Sequence, residues 1–269
     1  KARGEGNLDY RITLTRNDEF KRVAQAFNHM AASLRKHISD LKTQTADRER
    51  FESELRIAAD VQKMLLPVEP PVLAGYRMAG LCMTAKTVGG DFFDYVPMTD
   101  GAYAVVIGDA TGKGMPAALL TTQCWSTLRT LAGDFQDPAE LLRRTNRELN
   151  RRLGPSFRFV TLFCCRVEPQ SPIVRYAVAG HNPPLLVRPD EKEVGRIECL
   201  PAFPLGLNAD TLYQECNLVL PSGATLCIYS DGLVDARNDQ GELFGEDRLA
   251  ALLLEHAAAS PEHIADRLT

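Results

Sequence analysis

Val88-Gly89-Gly90-Asp91-Phe92-Phe93-Asp94-Tyr95 and, after a short turn, Val105-Val106-Ile107-Gly108-Asp109-Ala110-Thr111-Gly112-Lys113-Gly114 form the stretch on which the fold turns. Two short apolar runs flank Thr99-Asp100-Gly101. That triplet suits a three-residue hairpin loop with Gly101 in the left-handed position that closes it. Folding the chain about Asp100 sets Asp91 opposite Asp109 on neighbouring strands. Cross-strand partners lie roughly 5 Å apart on one face, so like charges there repel. A hard cation between the carboxylates makes such a pair tolerable. On spacing alone, two solvated aspartates at strand ends are an equally good reading.

A third acid joins them. Ala224-Thr225-Leu226-Cys227-Ile228-Tyr229 has a buried-strand pattern and delivers Asp231 at a strand end, followed by Gly232. Asp91, Asp109 and Asp231 then share one setting, a strand end with glycine close by. Oxygen-only, carboxylate-rich sites suit Mg²⁺ or Mn²⁺, which keep several waters and use few protein ligands. Gly108 to Gly114 is one residue short of a Walker loop and has Gly114 where Ser or Thr would meet magnesium, which excludes that motif. Gly89-Gly90-Asp91-Phe92-Phe93 is similar to the GGDEF hairpin of diguanylate cyclases, but Phe92 stands where the acid is required. The length and the later motifs do not fit a cyclase either.

The chain has 269 residues, 45% hydrophobic and 25% charged, with a formal net charge of -4. This is an ordinary globular composition and gives no basic face for nucleic acid. Seven cysteines sit mostly inside apolar runs without CxxC spacing. They read as reduced, buried thiols rather than a disulfide framework or a zinc site. No apolar run approaches the ~18 residues of a membrane span. The first residue is Lys1, and the last falls inside a helical pattern opened by Ser260-Pro261-Glu262, so a segment of a longer protein is expected.

From Phe20, apolar residues follow steps of three and four: Val23, Phe27, Met30, Leu34, then Leu41, Phe51, Leu55, Ala58 and Leu65. One heptad register covers 20 to 65, a coiled-coil seam that also places His37, Gln44, Arg48 and Gln62 in its core. Periodicity alone allows either a plain dimerisation stalk or a signalling one. Gly6-Asn7-Leu8-Asp9-Tyr10-Arg11-Ile12, Arg16-Asn17-Asp18-Glu19-Phe20 and Ala26-Phe27-Asn28-His29-Met30 resemble the second half of a HAMP domain. That resemblance covers residues 1–40 and implies a parallel dimer with Asp18-Glu19 opening its second helix. It also implies a membrane span and sensor upstream of Lys1, so that this chain is the cytoplasmic portion of a membrane protein.

The long helix should stop before Pro67, because proline disfavours helical geometry in its predecessor. Strands are expected at 76–83, 92–96, 102–108, 158–167, 173–179, 184–188, 196–200, 213–220 and 224–230. Two helices lie between them. One has Pro116 near its first turn and Gly133 past its end. The other opens on the capping box Asp137-Pro138-Ala139-Glu140 and stops at Gly154. Consecutive helices between groups of antiparallel strands argue for an α+β layered domain.

Ala59-Asp60-Val61-Gln62-Lys63-Met64-Leu65-Leu66-Pro67, Gly89-Gly90-Asp91-Phe92-Phe93-Asp94, Gly108 to Gly114, Ala179-Gly180-His181-Asn182-Pro183-Pro184 and Ser230-Asp231-Gly232 resemble the RsbU/SpoIIE group. These are metal-dependent serine/threonine phosphatases of the PPM superfamily. The resemblance covers residues 57–269, and its motifs come in the family's order. It implies a β-sandwich of two antiparallel sheets flanked by helices, with a two-metal site at one end. Carried over, Asp109 bridges two Mn²⁺ or Mg²⁺ ions, Asp91 and the Ala110 carbonyl hold one, and Asp231 holds the other. Asp94 acts through water, and the His181-Asn182 loop either approaches the site or shapes a turn.

The implied chemistry is in-line attack of water on phosphorus, without a phosphoenzyme. The implied substrate is a phosphorylated STAS-domain anti-anti-sigma factor in partner switching. Residues 41–67 would be linker and regulatory helix, and 68–269 the phosphatase domain. The family's closing strand and its Asp-Asp-x-Thr ligand are not in this sequence, so weak binding of the second metal and little activity are expected without an extension. The reading of a different class is a non-catalytic dimeric output module that binds its partner without hydrolysis.

Overall fold

A computed structural model of the chain describes residues 8–13, 19–83, 87–134, 136–154 and 157–268. The hairpin forms in the expected register: β1 (Asp91–Pro97) pairs antiparallel with β2 (Tyr103–Ala110), and Asp91 faces Asp109. Gly101 takes φ +83°, and Asp100 Oδ1 accepts a hydrogen bond from the Ala102 amide at 3.2 Å. The sheet grows through β3 (Val160–Val167), β4 (Ile173–Ala179) and β7 (Cys216–Val219), in the order β1-β2-β3-β4-β7. A second sheet has the order β6-β5-β8, from β5 (Leu185–Arg188), β6 (Glu193–Arg196) and β8 (Thr225–Cys227). Every named strand pair is antiparallel.

Alternation along the strands sorts side chains into layers. Ala104, Val106 and Ala110 of β2 pack with α2 (Met115–Ala132) and α3 (Pro138–Leu153) on one face of the first sheet. Phe163 and Cys165 of β3 and Tyr176 and Val178 of β4 turn to the other face. There they meet Leu186 of β5 and Leu226 of β8. The outer face of the second sheet, Leu185 and Val187, is covered by Leu249 and Leu253 of α5 (Gly245–Glu255) and Ile264 of α6 (Pro261–Arg267). The α+β sandwich flanked by helices is therefore present as helix, sheet, sheet, helix. Truncating a fully buried leucine of these layers, such as Leu162 or Leu249, costs about 2–5 kcal/mol.

The chain divides into two compact units, Lys1–Ile57 and Ala58–Thr269. Helix α1 (Glu19–Lys63) ends four residues before Pro67, as proline requires. Asp18, expected to open it, lies outside the described residues. In the first unit the Asn28 side chain accepts from the Ile12 amide (2.9 Å) and donates to the Ile12 carbonyl (2.8 Å). The seam residues Phe20, Val23, Phe27, Met30, Leu34, Leu41 and Phe51 are all exposed on the single chain. No helix among the described residues is long and apolar enough to cross a membrane.

Several expectations shift. Residues 76–83 form no strand. Only an isolated Leu73–Tyr76 bridge appears, and Tyr76 and Met78 lie on the inter-sheet core while the Tyr76 hydroxyl donates to the Ser171 carbonyl. The strand expected at 196–200 is displaced to Glu193–Arg196 by the turn at Lys192, φ +52°. Asp137 caps α3 by accepting from the Ala139 amide at 2.7 Å, but the box does not close, because Glu140 pairs with Arg143 and Arg144. The seven cysteines are free thiols, with Cys124, Cys164 and Cys165 buried.

Candidate active site

The register of the hairpin puts the Asp91 and Asp109 carboxylates at one end of the sandwich. Gly90 precedes Asp91, and its lack of a side chain is a requirement of the site. A Cβ there would lie 2.6 Å from the Ala110 carbonyl oxygen and 2.7 Å from Asp109 Oδ1. Those two oxygens thus converge on a small space that only glycine leaves open. Gly90 is held in place on both sides. Its carbonyl accepts from the Ala110 amide at 3.2 Å and from the Thr121 hydroxyl of α2 at 2.5 Å.

Asp231 arrives from the second sheet. Past β8 the chain leaves the ladder, and Ser230 and Asp231 start the short helix α4 (Asp231–Val234). Ser230 occupies the N-cap position without capping. Its hydroxyl donates instead to Asp91 Oδ2 at 2.7 Å, which ties the Asp231 turn to the first sheet. A side chain on Gly232 would begin 3.4 Å from the same Oδ2.

The electrostatics follow from three acids on one end. The Asp109 pKa is pushed up to about 8, first by burial, then by its hydrogen bond with Asp91 and the charges of Asp91 and Asp231. The Asp231 pKa is also raised, by burial and then by the charges of Asp91 and Asp235. Among the described residues none of the three carboxylates has an ion-pair partner. Carboxylates crowded without a counter-charge favour a bound cation, and an all-oxygen donor set selects a hard one. Among the described residues no three His, Cys, Asp or Glu side chains close on a single point as a metal cage. The oxygens that could hold a cation are instead those of the Asp91–Asp109 pair and the Ala110 carbonyl, with Asp231 across the turn. That layout suits ions that keep most of their waters.

The structure brings together Asp91, Asp109, Ala110 and Asp231 and leaves Asp94 out. Three residues beyond Asp91 on a strand is the opposite face. Asp94 is fully buried there and accepts from Arg129 Nε (2.6 Å) and a terminal guanidinium nitrogen (3.0 Å) of α2. His181 lies beside the site, its Nδ1 3.0 Å from the Thr161 hydroxyl, and Thr161 is the cross-strand partner of Asp109. Gln62 is a further correction. It does not sit in a coiled-coil seam; its side-chain oxygen accepts from the Gly89 amide (3.1 Å) and its nitrogen donates to the Gly89 carbonyl (2.7 Å). Sequence reading missed the roles of Ser230, Thr121 and Thr161. Only Thr161 had a signal, its register opposite Asp109 once β3 is aligned.

The sequence matches the SpoIIE family (Stage II sporulation protein E) over residues 99–269 and the HAMP domain family over residues 1–36. Phosphoserine phosphatase RsbU of Bacillus subtilis is 27% identical over 216 residues, 80% of this chain and 63% of that protein. The chain spans 45% to 63% of the length of three curated relatives it matches. Among solved structures, the RsbU and RsbW domains of a Mycobacterium tuberculosis protein share 28% identity with a TM-score of 0.57, over 69% of this chain and 50% of that one. The SiaA-PP2C domain of Pseudomonas aeruginosa superposes with a TM-score of 0.68 at 22% identity, over 83% of this chain and 89% of that one, a likeness of fold. The chain belongs to the SpoIIE family, with a HAMP sequence ahead of a PP2C-type sandwich.

Proposed function

We propose that the chain is a Mn²⁺- or Mg²⁺-dependent protein serine/threonine phosphatase, the output region of a membrane-anchored signalling receptor. The observation that carries this reading is the Asp91–Asp109 pair beside the Ala110 carbonyl at one end of the sandwich, with the Asp231 turn tied to it through Ser230. In this assignment Asp91, Asp109, the Ala110 carbonyl and Asp231 would hold the Mn²⁺ or Mg²⁺ ions. When bound, such ions acidify a water and neutralise charge on a phosphoryl group. The residues themselves do the positioning. Ser230 fixes the Asp91 carboxylate, and Thr121 and the Ala110 amide fix Gly90.

The substrate is a phosphorylated STAS-domain protein of the anti-anti-sigma type, within partner switching. The similarity to RsbU supports this. The chain works as a homodimer through its N-terminal helix, a reading supported by the HAMP match and by the exposed row Phe20, Val23, Phe27, Met30, Leu34 and Leu41. In this reading residues 1–40 are the second half of HAMP, 41–67 the linker and regulatory helix, and 68–269 the phosphatase domain. The test is hydrolysis of a phosphoserine STAS protein with Mn²⁺. The full-length protein should release phosphate, chelation should stop it, and Asp109→Asn should reduce it to background while the fold is kept. A full-length protein that binds the phosphoprotein without releasing phosphate would replace this reading with the non-catalytic module.

A further inference from the structure

Two loops meet beside the carboxylates and are locked together there. Thr111, two residues past Asp109, donates from its amide (2.9 Å) and its hydroxyl (3.1 Å) to the Phe159 carbonyl. The Phe159 amide donates back to the Thr111 hydroxyl at 3.0 Å. The next residue, Val160, exchanges two backbone bonds of 2.9 Å with Leu205 in an antiparallel bridge. Continued outward, that register sets Arg158 across from Leu207. A Cβ on the neighbouring Gly206 would lie 3.1 Å from the Arg158 carbonyl, in keeping with it. Buried Asn146 holds this segment from beneath. Its Oδ1 accepts from the Gly206 amide (2.8 Å), and its Nδ2 donates to the Asn208 carbonyl (2.8 Å).

This firmly held backbone carries side chains that the fold leaves unused. Phe157 is 94% exposed and Leu207 40%. Arg158 and Lys113, the latter two residues past Thr111, are also exposed. Neither has an ion-pair partner among the described residues. The arginines of α3 behave differently: Arg143 and Arg144 pair with Glu140, and Arg151 and Arg152 pair with Glu148. Ordered aromatic and aliphatic side chains beside an arginine are what protein interfaces concentrate at their centres. Charge indicates the partner. The carboxylates make this end acidic, so an anion approaching it needs cations nearby. Arg158 and Lys113 supply them, and a phosphoryl group is the anion that guanidinium and ammonium groups bind well. A small phosphate ester would use the cations but not Phe157 or Leu207. A phosphorylated protein with an apolar side chain near its phosphoserine would use all four.

We propose that Phe157, Arg158, Leu207 and Lys113 form the docking surface for the phosphoprotein substrate. The two cations meet the charge of the phosphoserine segment, and Phe157 and Leu207 cover an apolar side chain beside it. The inference rests on the phosphatase reading above, and the measurements separate the two. In the full-length protein, kcat/KM is compared for a phosphoserine STAS protein and for p-nitrophenyl phosphate. Phe157→Ser should lower the ratio of the first to the second about tenfold, through KM for the phosphoprotein. Arg158→Glu should lower it by about 10- to 100-fold, and added salt should then raise that KM less steeply than in wild type.

Both side chains are exposed, so both variants should melt as wild type does. An unchanged ratio in both variants overturns the proposal, whether both substrates keep their rates or lose them equally. If the protein hydrolyses neither compound, the phosphatase reading fails on its own. Docking is then read by calorimetric titration with the same phosphoprotein, which both variants should bind more weakly by these factors. Wild-type affinity in both overturns the docking surface.

Discussion

At the scale of single residues, the site depends on what is absent from Gly90 as much as on what the aspartates carry. In Gly90→Ala the new methyl would start 2.6 Å from the Ala110 carbonyl and 2.7 Å from Asp109 Oδ1, distances that force one of them to move. The expected outcome is a folded protein whose Mn²⁺ affinity and phosphatase activity are both lost, read by calorimetric titration beside a thermal melt. Asp94 makes the opposite test. Arg129→Met leaves a fully buried carboxylate without its partner and should destabilise the fold by about 3 kcal/mol, measured by urea unfolding. Mn²⁺ affinity should stay near wild type, because Asp94 faces away from the Asp91–Asp109 pair. The Asp91–Asp109 pairing was legible because hairpin register follows from loop length. The same rule, applied to the three-residue offset of Asp94, already points that side chain to the other face. Ser230 and Thr121 were not legible, because hydroxyls that reach across a fold carry no spacing signal.

At the scale of elements, strands inside the sheets were the clearest part of the sequence and edges the least clear. β2 lies between Gly101 and Gly112, and β2 and β3 each pair on both sides, so pattern and ladder agree. Residues 76–83 have a strand-like pattern but form no ladder, and Tyr76 and Met78 serve as a cover on the inter-sheet core while Leu81 and Met83 stay exposed. The end of α1 shows the same limit. Gln62 fits the heptad register, yet from Ala58 onward the helix belongs to the second unit, and an amide side chain satisfies both backbone groups of Gly89. Gln62→Ala removes two hydrogen bonds and leaves Gly89 unsupported, at a cost of about 1–3 kcal/mol. Melting temperature should fall by a few degrees. Mn²⁺ affinity should also fall, because Gly89 adjoins the glycine that shapes the site; unchanged affinity would separate the helix from the site.

At the scale of the whole molecule, the apolar row on α1 stands exposed on the single chain. Phe27→Glu places a charge in that row and should shift the protein from dimer to monomer in sedimentation equilibrium, with the PP2C-type region still melting cooperatively. The heptad pattern made this surface readable from sequence, because a 3.5-residue repeat shows itself without any tertiary contact. The four layers of the second unit were readable only as a class, since which sheet each short strand joins depends on long-range pairing. The bond between Gln62 and Gly89 has one more consequence. Opening of the last turn of α1 and release of Gly89 are a single event, so their amides should exchange with deuterium at a common rate. Linkage works in both directions: whatever fills the carboxylate site and steadies Gly89 slows that exchange, and whatever frays the helix weakens binding of that occupant by the same factor.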